Sequence, residues 1–295
     1  MNRIVATCLS VLSLSLLACQ GNEDPIREAS TVNATLNLSS SENAVWRNNT
    51  TRAASATKDI YYVLDASGLC QTAAKVDHAA PATADKLLAS GDYNVFCITN
   101  ADPSGFPYAA SMIGTDFTSQ PMVLNTLTDV CLGKQPLSIV ASKASYDINV
   151  TVNHILAKLS LAITKVPADI ESIKLTLGNV SMTFTLDGNF TADGTTQDLN
   201  LQQAAAANTD GTYDWILPES LIYPCPTGAT ATALTIVATD TSGNEQTYNT
   251  SATTVCSSGT RTSLTTTWRT LANHLSYGYT ETPWTTTVQQ GSFDM

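Results

Sequence analysis

The sequence predicts an all-β protein with two tandem β-sandwich domains, and two observations carry this prediction. Many short segments alternate apolar and polar residues, which is the period of a strand with one buried and one solvated face. Turn residues separate these segments, as in Asp187-Gly188-Asn189, where glycine tolerates the positive φ of a hairpin turn. Many short strands with turns between them are typical of sandwiches.

In chain order, the first 19 residues have the layout of a secretory signal that ends in a lipidation site. Arg3 precedes an apolar run over residues 4–17, shorter than the roughly 20 residues of a permanent membrane-spanning helix. Leu16-Leu17-Ala18-Cys19 matches a bacterial lipobox, in which a small residue precedes the cleaved bond. We expect a signal peptide over residues 1–18 and lipidation of Cys19 by acyl chains such as palmitate.

Composition limits the partners of the mature chain. Cleavage before Cys19 removes 18 of the 295 residues and leaves 277, a length that suits one or two domains. The net charge of −11, without a basic run, argues against nucleic acid and against electrostatic membrane binding. Glu23 and Asp24 resemble the surface-export signal of Bacteroidota-type lipoproteins. We therefore expect attachment to the outer membrane through lipid, at the cell surface.

The N-terminal half contains four predicted strands. In the first, the apolar positions of the alternation are Val32, Ala34, Leu36 and Leu38. The others cover residues 60–64, 93–98 and 146–152, with a turn over 87–92 before the third. Residues 101–135 hold three prolines, so we expect loops with short helical pieces there.

The C-terminal half follows a break near residues 152–154 and repeats the strand pattern. Predicted strands cover residues 154–163, 173–177, 180–186, 213–217, 231–238, 245–248 and 262–268. Residues 192–212 are polar and rich in alanine, so we expect a long loop or a short helix. The tail carries apolar residues between polar ones, at Tyr277, Tyr279, Trp284, Val288 and Phe293.

The spacing of the cysteines along the chain does not match a known metal-binding or redox motif. Five remain besides Cys19, and none has C-x-x-C spacing. An exported chain permits disulfides, and the candidate pairs are Cys70 with Cys97 and Cys225 with Cys256. Because five is an odd number, at least one of these cysteines would keep a free thiol.

The spacing of the histidines and the absence of known catalytic motifs from the sequence also argue against an enzyme. His78, His154 and His274 are not spaced as ligands or catalytic partners. No nucleophile elbow, zinc-protease, phosphate-binding or dinucleotide-binding motif occurs. We expect neither a catalytic residue nor a metal or cofactor.

A lipobox, a first strand, an arginine-containing loop and two sandwiches together resemble the fimbrillins, the lipoprotein pilin precursors of Bacteroidota-type bacteria. Residues 33–38 resemble their first strand, and Thr51-Arg52-Ala53 resembles their processing loop. Residues 88–100 resemble part of their N-terminal domain, and residues 156–180 resemble the start of their C-terminal domain. Each match is short, but together they span most of the chain.

This resemblance implies a structural subunit of surface fimbriae that supports adhesion. It implies transthyretin-like sandwiches over residues 53–152 and 153–295, behind a lipidated tether, first strand and processing loop over 19–52. In fimbrillins an arginine-specific protease cuts in this loop, the first strand leaves, and a neighbour's strand fills the groove. Here the cut would follow Arg52, before Ala53, with Arg47 as the second choice. The removable strand would carry Val32, Ala34, Leu36 and Leu38.

The resemblance also implies partners. The donor strand would be the tail of a neighbouring subunit, in a homo- or heteropolymer, anchored by Tyr277, Tyr279, Trp284 and Val288. A host protein or glycan is a candidate receptor. The family includes major, minor and tip subunits and anchor subunits that are not cut, so an uncleaved anchor role is open.

Two alternatives follow from the residues themselves. Residues 32–38 could form an ordinary edge strand, with Arg47 and Arg52 as ordinary loop residues. The chain could also be a lipid-anchored glycan-binding protein, which needs exposed aromatic side chains to stack on sugar rings. The candidates for that platform are Trp46, Trp215, Trp268 and Trp284.

Overall fold

The computed structural model describes residues 31–42, 58–77, 80–101, 106, 113–117, 120–252, 255–268 and 278–283. The elements named in this part of the chain are all strands, which confirms the all-β prediction. Within the same residues, no helix is both long and apolar enough to cross a bilayer.

Seven strands from the N-terminal half form one sheet. They are β1 (Thr31–Glu42), β2 (Lys58–Asp65), β3 (Cys70–Asp77), β4 (Ala82–Ala89), β5 (Gly91–Thr99), β7 (Cys131–Ile139) and β8 (Ser145–His154), while the short β6 (Met122–Val123) lies outside this sheet. Their order is β3-β2-β5-β7-β8-β1-β4.

This sheet buries apolar side chains on both faces, as β2 illustrates. Six consecutive residues of β2 are buried, namely Asp59 and the apolar run over residues 60–64, so the burial of β2 does not alternate. Tyr61 and Val63 point into one cluster, which we call the inner core, whereas Ile60, Tyr62 and Leu64 point into another, the outer core. The inner core collects side chains from all seven strands, so the sheet curls around it.

β7 and β8 approach each other closely at Gly133. A Cβ atom at this position would lie 2.2 Å from the Thr151 carbonyl oxygen and 2.9 Å from Val150 Cγ1. A backbone oxygen within a paired strand cannot rotate away as a side chain can. The close approach therefore requires glycine.

We expect Gly133→Ala to lower the free energy of unfolding by about 3 kcal/mol, the upper end of the usual cost of overpacking. Gly178→Ala is the matched control, because its new Cβ would meet the Ala233 Cβ at 3.2 Å, a much milder contact. Urea unfolding of both variants measures the difference. Equal losses in the two variants would contradict this explanation.

The C-terminal half forms a sandwich of two sheets. Its strands are β9 (Ala157–Val166), β10 (Ile170–Val180), β11 (Thr183–Phe184), β12 (Thr195–Asn200), β13 (Gln202–Gln203), β14 (Tyr213–Ile222), β15 (Thr232–Asp240), β16 (Glu245–Ala252), β17 (Thr260–Thr267) and β18 (Gly278–Pro283). One sheet has the order β12-β10-β15-β16 and the other β13-β14-β9-β17-β18. Alternating apolar residues of β9 and β10 meet in the core between the sheets.

The two halves share apolar contacts. β6 pairs with β11, and Phe184 of β11 stacks on Phe190 with ring centroids 5.4 Å apart. Phe106 meets the same Phe184 ring edge-on at 5.8 Å. All three rings belong to the outer core together with residues of β2 and β5. The junction is therefore a packed apolar surface.

Three local predictions differ from the described structure. Residues 192–212 contain β12 and β13, and the described residues of 101–135 contain β6 and the start of β7 without a helix. The turn expected over 87–92 is shorter, because β4 continues to Ala89. β12 was not predicted because its inward residue, Gln197, is polar although it is buried. The Gln197 side chain donates to the Leu221 carbonyl at 3.2 Å and accepts from the Tyr223 N–H at 3.0 Å. The domain boundary at residues 152/153 stays a prediction.

Candidate functional site

β1 is an interior strand of its sheet. It pairs with β4 in antiparallel register, from Thr31 opposite Ala89 to Leu38 opposite Ala82. It pairs with β8 in parallel register, from Thr35 opposite Ser145. The edge-strand alternative is therefore wrong. Loss of β1 would leave β4 and β8 each with an unsatisfied edge, which is a template for another strand.

The inward face of β1 is fully part of the inner core. Its four apolar side chains have exposed fractions of 8%, 0%, 0% and 1%, for Val32, Ala34, Leu36 and Leu38 in turn. Tyr61, Tyr146 and Ile148 belong to the same cluster. Burying one Val or Leu side chain stabilises a fold by about 1.5–3 kcal/mol. These positions define a groove, the β1 groove, that only an alternating apolar strand can fill.

The outward face of β1 makes hydrogen bonds to its neighbours on both sides. Thr35 Oγ1 donates to Asp85 Oδ1 of β4 at 2.6 Å. On the other side, Asn37 Nδ2 donates to Asp147 Oδ1 of β8 at 2.7 Å. Asn149 of β8 contacts both Ser39 and Ser41, at 3.3 and 3.0 Å. A strand in this position therefore needs small polar residues outward as well as apolar residues inward.

The chain connection after β1 holds the predicted processing residues. β1 ends at Glu42 and β2 begins at Lys58. Arg47, Arg52 and Ala53 lie between them, outside the described residues, as does Cys19. A cut at either arginine would separate β1 covalently from the rest of the sheet. The strand would then be held by its hydrogen bonds and its buried face alone.

The predicted donor tail is partly described. Residues 278–283, which include Tyr279, form β18 and pair with β17 of the same chain. Tyr277, Trp284 and Val288 lie outside the described residues. A tail that donates its Tyr279 to another subunit must first release β18 from β17.

The tryptophans that are described do not form a sugar-binding platform. Trp215 is 4% exposed and belongs to the sandwich core. Trp268 is half-buried and meets the Tyr248 ring edge-on, with centroids 5.6 Å apart. Trp46 and Trp284 lie outside the described residues. Within the described chain, nothing favours the glycan-binding alternative.

All five described cysteines are buried thiols, so neither candidate disulfide is formed. Cys70 belongs to the outer core and Cys97 to the inner core, on opposite faces of the sheet, which rules out that pair. Cys225 and Cys256 are neighbours, because the Cys225 N–H donates to the Cys256 carbonyl at 2.8 Å. Burial raises the pKa of Cys70 to about 11, which keeps this thiol protonated and unreactive at neutral pH.

One group of side chains has the composition of a metal site. Cys131 at the start of β7 is paired in register with His154 at the end of β8. His154 Nδ1 lies 3.5 Å from Cys131 Sγ and 2.5 Å from Asp129 Oδ1. The sequence offered little signal for this group, because strand pairing rather than chain spacing brings His154 to the other two residues.

No protein-family model matches the sequence, and a search of curated proteins returns no match. Solved structures do share the fold. The fimbrial anchor protein Mfa2 from Porphyromonas gingivalis has 14% identity and a TM-score of 0.53, covering 80% of this chain and 91% of that one. A candidate cell adhesion protein from Bacteroides eggerthii has 13% identity and a TM-score of 0.55, covering 86% and 96%.

A candidate adhesin from Bacteroides thetaiotaomicron has 12% identity and a TM-score of 0.51, covering 85% of this chain and 96% of that one. The three proteins are described as fimbrial or adhesion proteins rather than enzymes. The fimbrillin-like fold predicted from the sequence is therefore confirmed.

Proposed function

We propose that this chain is a lipoprotein subunit of a cell-surface fimbria, which supports adhesion and assembles by strand exchange. The observation that carries the proposal is the place of β1: an interior strand whose four inward side chains are almost fully buried. Two arginines follow it before the next strand begins. A single cut would therefore convert a complete sheet into one in which an interior strand is exchangeable. The fold shared with a fimbrial anchor protein and candidate adhesins supports the same role.

In this mechanism Cys19 carries the lipid during export to the outer membrane. An arginine-specific protease cuts after Arg52, or after Arg47, and β1 leaves the β1 groove. The tail of a neighbouring subunit enters and restores the hydrogen bonds to β4 and β8. Backbone pairing supplies affinity, and the alternating pockets supply selectivity. The partners are other fimbrial subunits, with a host protein or glycan as receptor.

We expect the mature protein on its native cells to begin at Ala53, or at Asn48, and to begin at lipidated Cys19 when an arginine-protease inhibitor is present. Mass spectrometry of the N-terminus measures both states. In an Arg52→Lys variant the start at Ala53 should disappear, although the positive charge is retained. Arg47→Lys is the matched control.

The outcome separates two roles within the fimbria. A subunit that polymerises by strand exchange must lose β1. Retention of Cys19 on every molecule, with or without inhibitor, would contradict strand removal. That result would instead identify an uncleaved, lipid-anchored subunit at the base of the fimbria.

A further inference from the structure

The Asp129–Cys131–His154 cluster lies where the N-terminal sheet ends and the chain passes to β9. The donor atoms of its three side chains all lie within 4.8 Å of one another. Cys131 is 0% exposed and the His154 side chain 8%, whereas the Asp129 side chain is 35% exposed. The cluster is thus closed on its thiol side and open to solvent on its carboxylate side. An ion could enter past Asp129, and a water molecule could complete its coordination there.

The distance between the imidazole nitrogen and the thiol sulfur suits a metal ion, whereas the carboxylate oxygen would have to move outward. His154 Nδ1 faces both Cys131 Sγ and Asp129 Oδ1. One ring nitrogen has a single proton or a single lone pair, so it completes only one well-directed hydrogen bond. A cation at the centre would use all three atoms together.

Tetrahedral zinc, with bonds of about 2.0–2.1 Å to nitrogen and 2.3 Å to sulfur, sets these two ligands about 3.6 Å apart. The observed distance between Nδ1 and Sγ is 3.5 Å. The carboxylate oxygen would have to move outward from 2.5 Å to about 3.4 Å from Nδ1. Asp129 has room for this movement, because its side chain is partly exposed.

The backbone around the ligands is held in place before any ion arrives. Strand pairing fixes Cys131 opposite His154, and the Ile155 N–H donates to the Val130 carbonyl at 3.1 Å. Asn100 Nδ2 donates to the Asp129 carbonyl at 2.6 Å. Ligands positioned in this way lose little conformational freedom when they bind a metal.

We propose that Asp129, Cys131 and His154 form a zinc site with three protein ligands and one water. A thiolate, an imidazole and a carboxylate select a borderline-soft ion such as Zn²⁺ over Mg²⁺ or Ca²⁺, which prefer oxygen ligands. Binding exchanges the Cys131 thiol proton for the metal and releases it to solvent. It also requires the His154 tautomer with its proton on Nε2, so that Nδ1 offers its lone pair to the ion. None of the three ligands belongs to β1, although Cys131 lies in the inner core that β1 covers, so metal binding by the uncut chain can be measured independently of the fimbrial role.

Cobalt and zinc titrations of the purified uncut chain, without its signal peptide, test this site. We expect one Co²⁺ to bind with a thiolate-to-cobalt charge-transfer band in the near ultraviolet, and Zn²⁺ to displace it. Zn²⁺ should raise the melting temperature, whereas Mg²⁺ and Ca²⁺ should not. Cys131→Ala should abolish the band, and Cys70→Ala, which removes another buried thiol, should leave it unchanged.

Asp129→Asn tests the site in a protein that keeps its fold, because Asp129 is partly exposed and the change preserves its size. We expect this variant to bind Zn²⁺ at least about tenfold more weakly. The metal-free protein should keep its fold, because an asparagine side chain can either accept from or donate to His154 Nδ1 in place of the carboxylate. A folded parent protein without the cobalt band would overturn the proposal. So would a band that survives Cys131→Ala, or equal zinc affinity in Asp129→Asn.

Discussion

Leu36→Ala should lower the free energy of unfolding by about 3–4 kcal/mol, within the range measured for large-to-small changes at buried leucines. Leu36 is 0% exposed at the middle of β1, and its side chain fills the inner core. Removal of its methyl groups leaves a cavity that strands β4 and β8 cannot close without losing register with β1. Urea unfolding of the uncut chain measures the loss.

Asn33→Ala is the matched control for this change, because Asn33 lies on the exposed face of the same strand. We expect it to alter stability by no more than about 0.5 kcal/mol. If the two variants lost stability equally, the inward face of β1 would not be the part that stabilises the sheet. The inner core would then have to be stable without β1.

A chain that begins at Ala53 should not remain a stable monomer. It lacks β1, so the β1 groove and the edges of β4 and β8 are open, and exposed strand edges recruit other chains. We expect a shift from monomer to oligomers or aggregates, measured by size-exclusion chromatography with light scattering. The uncut chain under the same conditions should stay monomeric.

A synthetic peptide of residues 31–42, added during refolding, should return the truncated chain to a monomer. The same peptide with both Leu36 and Leu38 replaced by aspartate should fail, because charged groups cannot enter the inner core without a partner. A peptide with Asn37→Ala should bind more weakly, since it lacks the bond to Asp147. A truncated chain that stays monomeric and binds neither peptide would contradict the exchangeable role of β1.

These two experiments address one physical point. Cleavage in the loop breaks a covalent connection but leaves every hydrogen bond of β1 and all of its buried surface in place. Release of β1 must therefore be driven by a replacement strand, or be coupled to its arrival. The two faces of β1 set the requirements for that replacement: apolar residues at alternate positions, and small hydrogen-bonding residues between them.

Much of the fold could be predicted from local patterns. The alternation at Val32, Ala34, Leu36 and Leu38 correctly predicts a strand and the side chains that share its buried face. The apolar run at residues 60–64 likewise predicts β2. β12 was missed, because a buried polar side chain such as Gln197 carries no apolar signal and is explained only by its hydrogen-bonding partners.

Local patterns did not predict which strands become neighbours. The bond between Asn37 and Asp147 joins residues 110 positions apart, and the cluster at Cys131 and His154 joins residues 23 apart. Alternation specifies which side chains lie on one face of a strand, since that depends on backbone geometry alone. Strand pairing across the whole chain places β1 in the interior of its sheet. The same pairing brings a thiol, an imidazole and a carboxylate into one cluster. The sequence by itself therefore determined the strands and their buried faces, and only the tertiary structure decided what those faces touch.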